Sequence, residues 1–319
     1  MTIRNRRRAP LRSRLLGGAS AIVLAGALGV PLAAYADEAP GLTLEIGGGY
    51  DNYSRAQDNF IPENTLLDNQ VGATDGFNGF VAGSFRPSSS SFVFSGHVTY
   101  GKASTEAFTT SYSTSKYAAD GSVEEDEHFV LGDLQIGRDV GVGGSARATV
   151  SVGVRYANYQ TDSLVSFSTS SKYGGQVTGL GKSTALVGNA DFATTGTISR
   201  SFSGVGPILS LHVDSPFSGR MGEMGFSFEG DVFVSVLFGD AKVDFNMPGS
   251  PSDRSDSHTV SDIGLALAIA WRPGEGPFRI KVGYRAETLS DVLDGGFSGA
   301  RDSNRYMDGP FASLVWRFP

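Results

Sequence analysis

The side chains best suited to chemistry in this 319-residue chain are four histidines and a set of acids and bases that recur two or four positions apart. His97, His128, His212 and His258 are joined by no H-x-x-x-H or H-E-x-x-H spacing, so nothing places two imidazoles on one helix face for zinc. Ser95 stands two residues before His97, a spacing that any serine-rich strand generates. The absence of cysteine removes thiolate nucleophiles, Cys-ligated metals and disulfides. Gly47-Gly48-Gly49 is followed by no helix that would present its amide dipole to a phosphate, and fits a strand that lies close to its neighbour. Neither catalytic residues nor a metal or cofactor site is therefore expected. What remains is electrostatic: the acids Asp133, Glu229, Asp231, Asp262 and Glu287, and the bases Arg147, Arg155, Arg272, Arg279, Lys281, Arg285 and Arg317, joined by Glu45 and Arg86.

The elements that position these groups are read from a period of two. Ile263, Leu265, Leu267, Ile269 and Trp271 alternate with small residues between Asp262 and Arg272, so one face meets oil and the other does not. Nine other segments repeat the pattern, among them Leu42 to Tyr50, Phe92 to Tyr100, Ala146 to Tyr156, Phe226 to Phe238 and Ala312 to Phe318. Where a segment is ambiguous, charge fixes the face. Asp133 must point away from lipid, which sends Val130, Leu134 and Ile136 outward.

Short turns at 87–90, 139–144, 215–223 and 273–277 alternate with long polar stretches near 54–76, 103–127, 160–197, 240–258 and 289–307. Strict alternation of short and long links is what a membrane barrel with both termini on one side requires. Tyr50, Tyr53, Tyr100, Tyr156, Tyr159, Trp271, Tyr284 and Trp316 fall near segment ends, as interfacial aromatic girdles would. The stretch from Gln160 to Gly196 reads as the largest surface loop, the alternative being a partly ordered one whose strands extend beyond the membrane. The expected fold is all-β: a transmembrane, antiparallel, up-and-down β-barrel of about ten strands.

The first 36 residues read as a signal peptide, leaving 37–319 as one barrel domain. Arg4, Arg6, Arg7, Arg8, Arg12 and Arg14 precede an apolar stretch from Leu15 to Leu32 and an Ala34-Tyr35-Ala36 cleavage site. Their removal takes away six of 26 basic residues and none of 33 acidic ones, moving the net charge from -7 to about -13. A nucleic-acid partner is disfavoured. The 43 glycines are scattered without a triplet period, which excludes collagen.

Several strings in the second half resemble the Legionella-type major outer-membrane-protein-like, pore-forming family: Val154-Arg155-Tyr156-Ala157, Phe202-Ser203-Gly204-Val205-Gly206-Pro207, Leu237-Phe238-Gly239, Gly283-Tyr284-Arg285-Ala286-Glu287, and Gly309-Pro310-Phe311 leading to Trp316-Arg317-Phe318. The resemblance covers about residues 129 to 319. It implies a porin-like barrel of a Gram-negative outer membrane and carries over no catalytic residue. Pro319 stands after Phe318, where such barrels end on an aromatic residue.

By parity the acids and bases above line the lumen. Ten strands lie near the size at which side chains fill a barrel, so the interior is either a salt-bridged core or a narrow conduction path. The bases cluster next to the short turns. Asp262, Glu287 and the run Glu124-Glu125-Asp126-Glu127 lie toward the long links, giving a basic inner mouth and an acidic outer approach. The expected function is a narrow or gated pore for small solutes; a closed, opacity-type barrel that displays loops is the alternative, and a barrel-embedded enzyme the less favoured third. Expected partners are outer-membrane lipid and lipopolysaccharide, the barrel-assembly machinery and small solutes.

Overall fold

In a computed structural model, residues 40–55, 74–88, 90–104, 108–113, 117–141, 146–171, 175–179, 182–186, 190–246, 252–274, 276–293 and 303–318 are described; the leader at 1–36 lies outside them. The elements in chain order are β1 (Gly41–Arg55), β2 (Thr74–Arg86), β3 (Phe92–Ser104), β4 (Phe108–Ser113), β5 (Tyr117–Gly141), β6 (Arg147–Ser171) and β7 (Gly175–Gly179). They continue with β8 (Lys182–Leu186), β9 (Ala190–Pro216), a short helix α1 (Gly219–Glu223), β10 (Phe226–Asn246), β11 (Arg254–Trp271), β12 (Phe278–Leu293) and β13 (Ser303–Phe318).

Ten of these strands pair antiparallel with their neighbours, and the ring closes where β1 pairs β13, Leu42 opposite Phe318 and Leu44 opposite Trp316. Closure leaves no strand of the ten with a free side along the shared height of the wall, so the backbone there is paired almost throughout within the sheet. Hairpins close the sheet at the short turns; the turn after β9 holds α1, where Phe217 N–H donates to the Phe226 carbonyl. No described helix is long and apolar enough to cross a membrane. The strands do the crossing.

The pleat sorts side chains as the alternation requires. Ile46, Leu134 and Val282 face outward at 62%, 69% and 60% exposure, and every strand of the ring carries such residues. A water-soluble fold does not leave large apolar side chains open on all sides; a hydrocarbon solvent makes this surface the favourable one. Tyr50, Tyr100, Tyr156 and Tyr284 ring the outside toward the long links. At the other end Phe226 stacks on Trp271 and Trp316 on Phe318, and the Trp271 indole donates to the Met224 carbonyl at 3.1 Å. Ile269 pairs Val282 and lies between these belts, so Ile269→Arg is expected to cost about 2–4 kcal/mol, read as a lower urea midpoint for the heat-modifiable band of the refolded barrel.

The wall is uneven in height. β5, β6 and β9 have 25, 25 and 27 residues, whereas β2 and β3 have 13 each. Much of the polar stretches 103–127, 160–197, 240–258 and 289–307 is thus strand: Glu124 pairs Leu164, and Ser163 pairs Ile198. Beyond the lipid the outward face has no reason to stay apolar, so alternation fades while hydrogen bonding continues. β4 takes up the edge of β5 above the point where β3 ends, and β7 and β8 form a separate hairpin.

Inward glycines make room for lumenal rings. A Cβ on Gly47 would run into the Phe80 ring and Ser313, and one on Gly101 into the Phe129 ring. The glycine run read from the sequence as a close-approach segment serves that purpose.

Candidate functional site

The interior of the barrel is built in layers, each from side chains two residues apart on successive strands. Nearest the short turns, Glu229 sits between Arg279 at 2.7 Å and Lys281 at 3.0 Å. Lys281 reaches Glu45 at 3.1 Å, Ser313 donates to Glu45 at 2.6 Å, and Arg279 donates to Asp214 at 3.1 Å. Arg86 pairs Asp139 at 2.7 Å on the β2 and β5 side, and Thr149 donates to the same carboxylate. The bases expected at a basic mouth are therefore matched by acids on neighbouring strands. His212 Nδ1 lies 2.7 Å from Asp231, and these two side chains are 39% and 46% exposed, so water reaches this part of the lumen.

One layer higher, Arg155 on β6 holds three carboxylates from three other strands. Its Nη1 is 3.0 Å from Asp133, its Nε 2.6 Å from Asp262, and its Nη2 bonds Glu287, while its guanidinium lies 4.4 Å from the Phe233 ring centre. Arg155 is 2% exposed and Asp262 fully buried. Beside them Arg285 grips Asp51 through two nitrogens, at 2.7 and 3.2 Å, and Asn78 donates to Asp51 at 2.6 Å. Charges this deep are tolerable only because each is paired with an opposite charge.

Above this layer the lumen is dry. Tyr53, Ala103, Phe129, Leu131, Ala157, Tyr159, Phe202, Leu237, Val260, Leu289 and Met307 form one buried cluster, none more than 2% exposed. Nine of the ten wall strands contribute to it, and β2 lays Gly76 against Tyr53. Phe129 and Tyr159 stack with ring centres 6.0 Å apart and planes 3° apart. A second charged layer caps the first: Glu125 receives Arg200 at 3.4 Å and a hydrogen bond from Ser163 at 3.0 Å, while Glu127 receives Arg305 at 3.4 Å and the Tyr159 hydroxyl.

Of the twelve residues assigned to the lumen from the sequence, Asp133, Arg155, Glu229, Asp231, Asp262, Arg279, Lys281, Arg285 and Glu287 enter the networks just described. Arg147 opens β6 and Arg272 follows β11; both are exposed at the rim. Arg317 is partly buried near the end of β13, and its backbone N–H donates to the Pro277 carbonyl at 2.8 Å. The acidic run lies within β5 instead of a solvated loop: Glu125 and Glu127 are buried in the lumen, Glu124 and Asp126 point outward. Sequence reading missed Asp51, Asp139, Asp214, Arg200 and Arg305. Carrying the strand parity past the apolar stretch finds each of them, since Arg305 shares a face with Phe311 and Glu125 with Asp133.

Catalytic geometry is weak. His97 Nε2 is 3.1 Å from the Thr99 hydroxyl, but its Nδ1 is 3.7 Å from Asp133, beyond hydrogen-bond range, and Thr99 is buried. Among the described residues no group of three or more His, Asp or Glu side chains is placed to hold a metal ion.

No family model matches the chain, and no curated protein does. Among solved structures the chain is similar to the outer membrane protease OmpT from Escherichia coli, with a TM-score of 0.49 and 10% identity over 87% of this chain and 97% of that one. It is also similar to the translocator domain of the autotransporter NalP from Neisseria meningitidis, with a TM-score of 0.31 and 11% identity over 95% and 99%. Neisserial surface protein A scores 0.29 at 9% identity over 88% and 100%.

Proposed function

We propose that this chain is a bacterial outer-membrane barrel whose lumen is closed at rest, and that it serves as a rigid anchor displaying the tall β5, β6 and β9 wall and the links above it. The observation that carries this reading is the dry layer spanning the ring from Tyr53 to Met307. A conduction path needs water or a solvated ion at every level, and side chains at 0–2% exposure leave neither a place. The two charged layers on either side fix the strands to one another across the interior, which suits a load-bearing scaffold. The resemblance to pore-forming barrels, noted in the sequence, stays attached to the wall pattern.

A gated pore for small solutes is the second reading, and one observation favours it. The short-turn half of the lumen admits water to His97, His212 and Asp231, forming half of a pathway. Planar-bilayer recording separates the two. The closed scaffold gives no discrete steps at high protein density over a wide voltage range. Reproducible single-channel steps from the unmodified protein would establish the pore and remove the scaffold reading.

A further inference from the structure

The outer wall carries a groove of about 520 Å3 on its lipid-facing side, crossing β1, β2, β3, β5 and β6. Its floor is made by three outward glycines on adjacent strands. Gly83 pairs Gly96 across β2 and β3, and Gly132 on β5 lies between Val98 and Tyr156. Leu44 and Leu134 flank the glycine pair in the same row. The groove rises obliquely from Leu44, near the start of β1, to Tyr156, well along β6 at the upper aromatic belt. Its lining is almost wholly apolar until that end, where the Tyr156 hydroxyl meets Ser203 Oγ and Asn158 Nδ2, each at 3.4 Å.

We propose that this groove seats one acyl chain of a lipid from the leaflet on the long-strand side, with the lipid's ester, amide or hydroxyl oxygens meeting Tyr156, Ser203 and Asn158. The proposal rests on the membrane placement of the barrel and is independent of whether the lumen conducts. The groove is continuous with the surface that already faces hydrocarbon, so its occupant must be apolar along most of its length. A second barrel fits it poorly, because a convex wall touches another along a strip and cannot fill a concavity. A flexible chain fills it at little cost, and the polar group at one end matches an amphiphile entering from the interface.

The glycines supply a test that spares the fold. A Cβ on Gly132 meets nothing closer than 3.9 Å, and one on Gly83 nothing closer than 3.5 Å, so larger side chains there project into the groove. The full-length barrel is extracted from its own membrane in mild detergent, washed by detergent exchange and weighed by native mass spectrometry. Unmodified protein is expected to keep one adduct of lipid mass per barrel. Gly132→Leu and Gly83→Val, each shown to be folded by heat-modifiable migration, are expected to lower its occupancy by about tenfold. Equal occupancy in the variants, or no adduct on the unmodified protein, overturns the proposal. A dimer mass that the variants abolish would assign the groove to a second copy and equally overturn it. Failure of the unmodified chain to partition into membranes at all would instead strike the membrane reading.

Discussion

Arg155→Ala is expected to cost about 3–5 kcal/mol of unfolding free energy. The argument is one of stranded charge. Asp133, Asp262 and Glu287 come from β5, β11 and β12, and the guanidinium of Arg155 is what they share. Removing it leaves three carboxylates crowded in a region that water barely reaches, with Asp262 fully buried. Arg155→Lys keeps the charge but loses the fork that contacts three partners at once, and is expected to fall between alanine and the parent. Urea titration of refolded barrels in vesicles, followed by the band shift of unheated samples, gives the midpoints. Double-mutant cycles with Asp133→Asn and Glu287→Gln are expected to show coupling of about 0.5–3 kcal/mol, since these groups act as one network. An alanine variant that unfolds at the parent's midpoint would mean the network holds nothing.

The second large effect is a gain of conductance. Phe129 and Tyr159 are the two stacked rings of the dry layer, contributed by β5 and β6. Replacing both with alanine removes most of the aromatic filling on that side and leaves a cavity directly above the Arg155 layer, beyond which the short-turn half of the lumen is wet. Each truncation is expected to cost about 3–5 kcal/mol, so the pair is tested in lipid, where the closed wall supplies stability of its own. Tyr159→Ala also takes away a donor to Glu127, which loosens the upper charged layer. The double variant is expected to show discrete channel steps in planar bilayers, while the parent stays silent. Steps of the same size from both proteins would show that the dry layer opens unaided, and silence from a folded double variant would place the barrier in the charged layers.

Much of this molecule is legible in its sequence, because a barrel wall separates two solvents at every second residue. Ile263 to Trp271 could face only hydrocarbon, and Asp262 only the interior, so alternation alone determined the all-β class, the ring of ten, the short-turn hinges and the inward set from Asp133 to Glu287. Parity names a face and says nothing of height or partner. Tertiary structure decided that Arg155 gathers three acids from distant strands, because contact across a lumen depends on strand stagger, which no local pattern carries. It decided that Glu125 and Glu127 are buried beside Arg200 and Arg305 in strands that outgrow the membrane, where the outer face is polar and alternation no longer marks a strand. It decided too that apolar side chains from nearly every strand, with rings from β1, β5, β6 and β9 among them, meet at one level and shut out water, a matter of how side chains fill a shared volume that exists only once the sheet has closed on itself.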